Sequence, residues 1–173
     1  MVTSSEQCDE LPLTLGRDFS GVVVDTGMSP GSFNVGDQVW GTVFPTNSRG
    51  SHAEYVLAST TNSVGLKPKS LSHVEEASIP YAALTAWSGL DLTGNLLAQA
   101  SKETDAPSVL VIGASGGVGT LAVQILKAAT SGAAKVVATC QDDAFELVTD
   151  LGADVVLDYK SPQFEEQLSK LAG

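Results

Sequence analysis

The sequence predicts an α/β protein in which a β-rich segment precedes three parallel strands joined through helices. Three observations carry that reading. Residues 11–68 hold short β-type runs broken by glycine and proline. From residue 108 onward strand-like and helix-like patterns alternate three times, which predicts right-handed crossovers in a parallel sheet. Between the first of those strands and its helix runs VLVIGASGGVG (109–119), an apolar run passing straight into glycines.

In the β-rich segment, GVVVDTG (21–27), DQVWGTVF (37–44) and HAEYVLA (52–58) have the composition of strands. NVGD (34–37) and NSRGS (47–51) are the turns between them, since asparagine and glycine tolerate positive φ. The texture changes at SHVE (72–75), a capping box in which Ser72 and Glu75 satisfy each other's amides at a helix start. Pro80 lacks the amide a helix interior needs and interrupts that helix. YAALTAWSGL (81–90) is predicted as a second, largely buried helix, and KETDAP (102–107) as a polar connector.

The alternating region begins with Val109–Ile112, an apolar run suited to a parallel strand covered on both faces. Val118, Leu121, Ala122, Ile125, Leu126 and Ala129 then recur at helical spacing. Lys135–Thr139 is the second strand. DAFE (143–146) has the pattern of another capping box, and its helix ends at Leu151-Gly152 with glycine in the C′ place. Val155–Leu157 is the third strand, and Ser161-Pro162 opens a last helix with proline in its first turn.

Composition limits what such a protein does. Its 173 residues suffice for one domain or two small ones, and 43% hydrophobic with 17% charged residues is an ordinary globular balance. A formal net charge of −11 repels nucleic-acid phosphates and anionic lipid, so neither is expected as a partner. MVTSSEQCDE (1–10) has no apolar core and no basic flank; it reads as a disordered start rather than a signal or transit peptide. No apolar run reaches the length of a membrane span. Cys8 and Cys140 lie far apart and match no metal spacing, which fits a reduced, intracellular protein.

A strand, a glycine loop and a helix in that order form the dinucleotide-binding arrangement of the Rossmann fold. Here the frame is Ala114-Ser115-Gly116-Gly117-Val118-Gly119, with alanine where the first glycine usually stands. Gly116 lets a pyrophosphate approach the backbone, and Gly119 lets the helix pack closely on its strand. The helix mouth near Gly117 and Val118 offers unpaired amides and a partial positive charge to phosphates. An NAD site carries an acid about 20 residues further on, bonding the ribose hydroxyls. Thr139 holds that place, with Asp143 read as a helix cap and Asp142 as solvated. The missing acid favours a 2′-phosphate, hence NADPH, with Lys160 the nearest cation.

In order along the chain, LGRDFSGVV (15–23), VGDQVWG (35–41), AEYV (53–56), PYAALTAW (80–87), VLVIGASGGVGTLAVQILKA (109–128) and LGADVVLDYK (151–160) resemble the medium-chain dehydrogenases/reductases, in their zinc-free quinone oxidoreductase branch. The resemblance implies a truncated GroES-like catalytic domain over 11–78 and the first half of a Rossmann NADPH-binding domain over 79–173. It implies hydride transfer from NADPH to a quinone or enone acceptor and a mitochondrial location; relatives often form a homodimer, and the oligomeric state at full length stays open. Ser115, Gly117 and Val118 would meet the pyrophosphate, Gln141 and Tyr159 the adenosine ribose and its phosphate, and Thr85 the nicotinamide end. Plainer roles exist: Tyr159 as a cap on the sheet, Thr85 as a buried helix hydroxyl. Gln141 departs from the serine or basic residue usual there.

Zinc-dependent relatives carry Gly-His-Glu where this chain has Gly16-Arg17-Asp18, and their four-cysteine lobe is replaced by a short turn over Pro45–Ser51. No metal is therefore expected, and His52 and His73 read as surface or satisfied core histidines. A full dinucleotide domain has two halves and about six strands, whereas three follow residue 108. The expectation is an internal piece of an oxidoreductase, with an unpaired apolar edge at 109–112, weak NADPH binding in isolation and no quinone turnover. No catalytic residue is assigned. The alternatives are a nucleotide-binding scaffold or sensor without turnover, and an inactive gene product.

Overall fold

The computed structural model describes residues 13–27, 32–43, 49–59, 63–93, 96 and 107–172. The chain divides into two compact units, Met1–Tyr81 and Ala82–Gly173. The predicted disordered start at 1–10 lies outside the described residues, as do most of the 102–107 connector and much of the 45–51 turn.

In the first unit β1 (Asp18–Val22), β2 (Gln38–Thr42) and β3 (Val64–Leu66) form an antiparallel sheet in that order. Ser20 lies opposite Trp40, and Val39 opposite Leu66. The turn at 34–37 forms as the sequence predicts: Gly36 takes φ +95°, and its amide donates to the Val23 carbonyl at 2.8 Å. The Ser72–Glu75 capping box also forms, starting α1 (His73–Glu76), which packs on β1.

Two predicted strands differ. GVVVDTG is β-structure only through Val22, because the Asn34–Asp37 turn ends the partner strand and the Asp25 carboxylate draws the Gly27 amide into a local turn. HAEYVLA runs as bends and irregular chain, with Tyr55 and Leu57 exposed and no ladder among the described residues. β3, only three residues long with glycine at its centre, was too short to show a pattern.

Pro80 opens α2 (Pro80–Ser88), which runs on as a π-helical turn over Gly89–Thr93. The expectation of a largely buried helix is corrected. Ala86 and Leu90 join the core, while Tyr81, Leu84 and Trp87 are exposed: the apolar residues wrap the helix rather than marking one stripe.

The second unit holds β4 (Ser108–Ile112), β5 (Lys135–Cys140) and β6 (Val155–Asp158), parallel and in chain order. They are linked through α3 (Gly117–Ala129) and α4 (Phe145–Asp150), and α5 (Phe164–Ala172) follows β6. Ala122, Val123 and Leu126 of α3 interlock with Val111, Val136 and Val148 in one core. α4 closes in a Schellman motif: Gly152 at φ +110° donates to Thr149 O, and Ala153 donates to Val148 O. Lys127 ties α3 to the loop before β6 through Asp154, at 2.7 Å, and also donates to Ala134 O.

Three expectations fail here for local reasons. DAFE makes no capping box: Asp142–Ala144 is a 3₁₀ turn, α4 begins at Phe145, and no side chain caps it. Ser161-Pro162 forms a turn whose hydroxyl accepts the Gln163 amide, delaying α5 to Phe164. β4 is covered on one face only: Val111 is buried, but Leu110 is 41% and Ile112 79% exposed.

Candidate functional site

The carboxyl ends of β4, β5 and β6 come level, with Ile112 beside Thr139 and Cys140 beside Asp158. In open α/β sheets the crevice beyond these ends takes ligands. The glycine loop leaves from β4 at one end of this ledge, Gln141 from the central β5, and Tyr159 and Lys160 from β6 at the other end.

At the loop, Gly113 turns the chain at φ +71°, a conformation that disfavours a side chain. Two bonds hold the turn on β5. Thr139 Oγ1 accepts the Gly113 amide at 3.2 Å, and Thr139 O accepts the Ala114 amide at 2.9 Å. Gly116 then stands at the N-cap of α3 with no side-chain cap and no acid in the first turn. The amides of Gly117, Val118 and Gly119 have no partner within the helix and face the mouth of the dipole.

The glycines differ in what they permit. A Cβ on Gly119 would sit 2.3 Å from Gly113 O and 2.7 Å from Ala114 Cα, so only hydrogen fits where α3 crosses its strand. A Cβ on Gly116 would meet Gly113 O at 3.3 Å, a tight contact, and one on Gly117 would face open space. Ser115, Gly116, Gly117 and Val118 form one exposed patch, while Gly119 is buried. The patch is a bare cradle of main-chain donors, which fits a diphosphate.

At the other end, Lys160 Nζ donates to Gln141 Oε1 at 2.8 Å, and the Lys160 amide donates to Asp158 Oδ1 at 2.8 Å. Tyr159 beside them is exposed. Asp142 is exposed, its carboxylate accepting the Asp143 amide. Cys140 is fully buried; burial, then Asp143 and Asp158, push its thiol pKa up. Thr85 is exposed on α2, not buried as the plainer reading had it.

Several polar contacts in the first unit gave no signal in the sequence. Asp18 Oδ1 accepts the Tyr81 amide at 2.6 Å, and the Arg17 guanidinium lies 4.9 Å from the centre of the Tyr81 ring. Ser20 Oγ and His73 Nδ1 are 2.7 Å apart, so His73 is a partnered side chain. Glu76 is wholly buried, and its carboxylate oxygens have no hydrogen-bond partner among the described residues. Among the described residues no group of three His, Cys, Asp or Glu side chains is placed to hold a metal ion, and no helix is long and apolar enough to cross a membrane.

Residues 117–173 match the zinc-binding dehydrogenase family. The chain is 50% identical over 163 residues to the mitochondrial NAD(P)H oxidoreductase RTN4IP1 of Homo sapiens, covering 94% of this chain and 39% of that protein. It thus spans about two fifths of the length of such relatives. Among solved structures, the quinone oxidoreductase of Coxiella burnetii superposes with a TM-score of 0.71 at 32% identity, over 95% of this chain and 46% of that one. A mycobacterial protein solved in complex with NADPH gives 0.69 at 29% identity, again over 95% and 46%.

Proposed function

We infer, because the chain belongs to the medium-chain dehydrogenase/reductase superfamily, that it carries the adenosine-diphosphate half of the coenzyme site in an NADPH-dependent reductase. The observation that carries this reading is the uncapped mouth of α3, with Gly119 packed against Gly113 behind it. The amides of Gly117 and Val118 receive the pyrophosphate, and Ser115 and Gly116 line its approach. Lys160, held by Gln141, supplies the positive charge for a 2′-phosphate, with Tyr159 beside the ribose. Thr85 stands toward the nicotinamide end.

NADPH, when bound, supplies the hydride, and the acceptor is a quinone or enone. What the protein supplies is position and charge. The similarity to a mitochondrial oxidoreductase supports a mitochondrial location.

Titration of the 173-residue chain with 2′,5′-ADP and with 5′-ADP tests the reading. Saturable binding of the first, at least tenfold tighter than the second, is expected from one charge-assisted phosphate contact. Equal or absent binding of both overturns the 2′-phosphate assignment. Absence together with an intact fold overturns the coenzyme site itself.

A further inference from the structure

We propose that Thr139 is a positioning residue of the coenzyme site, whose hydroxyl fixes the backbone on which the pyrophosphate lies without itself meeting the ligand. This role rests on the coenzyme reading above. At 2% exposed, the Thr139 side chain is closed to a ligand, so it acts through the glycine turn.

Thr139 lies in a run of β5, Val136 to Cys140, in which every residue is buried. A hydroxyl in such a run costs stability unless it is hydrogen-bonded. Its partner is the Gly113 amide, at 3.2 Å. The ladder shows why a side chain is needed there. Ile112 pairs with Thr139, and the Ala114 amide donates to Thr139 O at 2.9 Å, which sets the phase of the parallel pairing. Alternate residues of a parallel strand present their main-chain groups to a given neighbour, so Gly113 is out of phase with the carbonyls of β5. Its amide ends on the Thr139 hydroxyl instead, at the residue where the chain turns through φ +71°.

The cradle hangs from that residue. Gly113 O accepts the Gly116 amide at 3.0 Å, and it is also the atom against which Gly119 packs. Gly113 is thus held at its amide by β5 and joined at its carbonyl to the N-cap of α3. No side chain caps α3 itself, so the arrangement of its open mouth depends on the anchor behind it. Without the hydroxyl the turn is freer, and a ligand binds only the fraction of chains that hold the cradle. Any ligand that places a pyrophosphate there weakens by the same factor. Lys160, in contrast, separates ligands with a 2′-phosphate from those without.

Calorimetric titration of the 173-residue chain with ADP-ribose and 2′-phospho-ADP-ribose, which share the pyrophosphate, tests the role. Thr139→Val keeps the bulk and removes the hydroxyl; it should weaken both ligands about fivefold to tenfold, the loss expected of one neutral hydrogen bond. Thr139→Ser keeps the hydroxyl and loses the methyl, and should retain most of the affinity; a packing role would reverse that order. In hydrogen exchange of the unliganded chain, Thr139→Val should speed the Gly113 amide about tenfold. The Ala114 amide, bonded to the Thr139 main chain, should keep its rate and serve as the internal control. Unchanged affinity in Thr139→Val, weakening of one ligand alone, equal losses in both variants, or faster exchange at Gly113 and Ala114 together each overturns the role. If the unsubstituted chain, folded and protected at Gly113, binds neither ligand, the coenzyme reading itself is overturned and the role falls with it.

Discussion

Lys160 Nζ and Gln141 Oε1 meet at 2.8 Å, joining the residue after β5 to the second residue after β6. The contact parks a cation at the end of the ledge where the 2′-phosphate is proposed to sit, and the Lys160 amide is held by the Asp158 carboxylate. Lys160→Gln should weaken 2′,5′-ADP roughly 10- to 100-fold and leave 5′-ADP unchanged, the loss expected of one charged hydrogen bond. Calorimetric titration of both ligands reads the difference; a uniform loss for both would mean the side chain acts on the fold.

Gly116 and Gly119 should respond oppositely to added bulk. Gly119→Ala drives a methyl into Gly113 O and Ala114 Cα, and should cost on the order of 3 kcal/mol of stability in urea unfolding. Gly116→Val meets a milder contact, 3.3 Å from Gly113 O, so its unfolding midpoint should fall less than that of Gly119→Ala. The isopropyl group would still cover the amide mouth of α3, reducing 2′,5′-ADP affinity by about tenfold or more. A Gly116→Val chain that binds normally would remove the cradle from the account.

Asp154 makes the second unit acid-sensitive. The Lys127 ammonium, and next the Val136 amide, hold its carboxyl below the ordinary aspartate range. A depressed folded pKa adds stability that is fully present above the unfolded value, about pH 4, and is lost as pH falls through the folded value. Asp154→Asn should therefore lower stability near neutrality by about 1 kcal/mol, since the pair is partly solvated. The gap from the parent should narrow as pH falls below the ordinary aspartate range and close once the carboxyl is protonated in both states, in a pH series of melting curves.

Cys140 should be inert in the folded chain. It is fully buried and its thiol pKa is raised, so the thiolate is scarce and shielded. Iodoacetamide labelling, followed by peptide mass spectrometry, should reach this residue only as urea unfolds the unit. Rapid labelling in native buffer would show that the end of β5 opens locally.

How much could be read in advance depended on how far each signal reached. β4, β5 and β6 were each legible to within a residue, because their apolar runs and flanking glycines are local. So were the Ser72 cap and the Gly152 helix stop. Coverage of a strand is not local: nothing in SVLVI says that Leu110 and Ile112 face outward. AEYVLA carries a strand pattern whose realisation needs a partner elsewhere. DAFE satisfies a capping rule but follows β5 so closely that the chain turns in 3₁₀ form first. The glycine patch could be named as a group because it is contiguous. The Thr139–Gly113 latch and the Gln141–Lys160 contact required the register of the strands, which no single segment contains.

The spatial order of β4, β5 and β6 is also their order of synthesis. Each strand's neighbour emerges from the ribosome soon after it, with one short helix between, so loop closure costs little entropy at any step. The second unit is thereby suited to assemble during translation, beginning with the strand that presents the glycine turn.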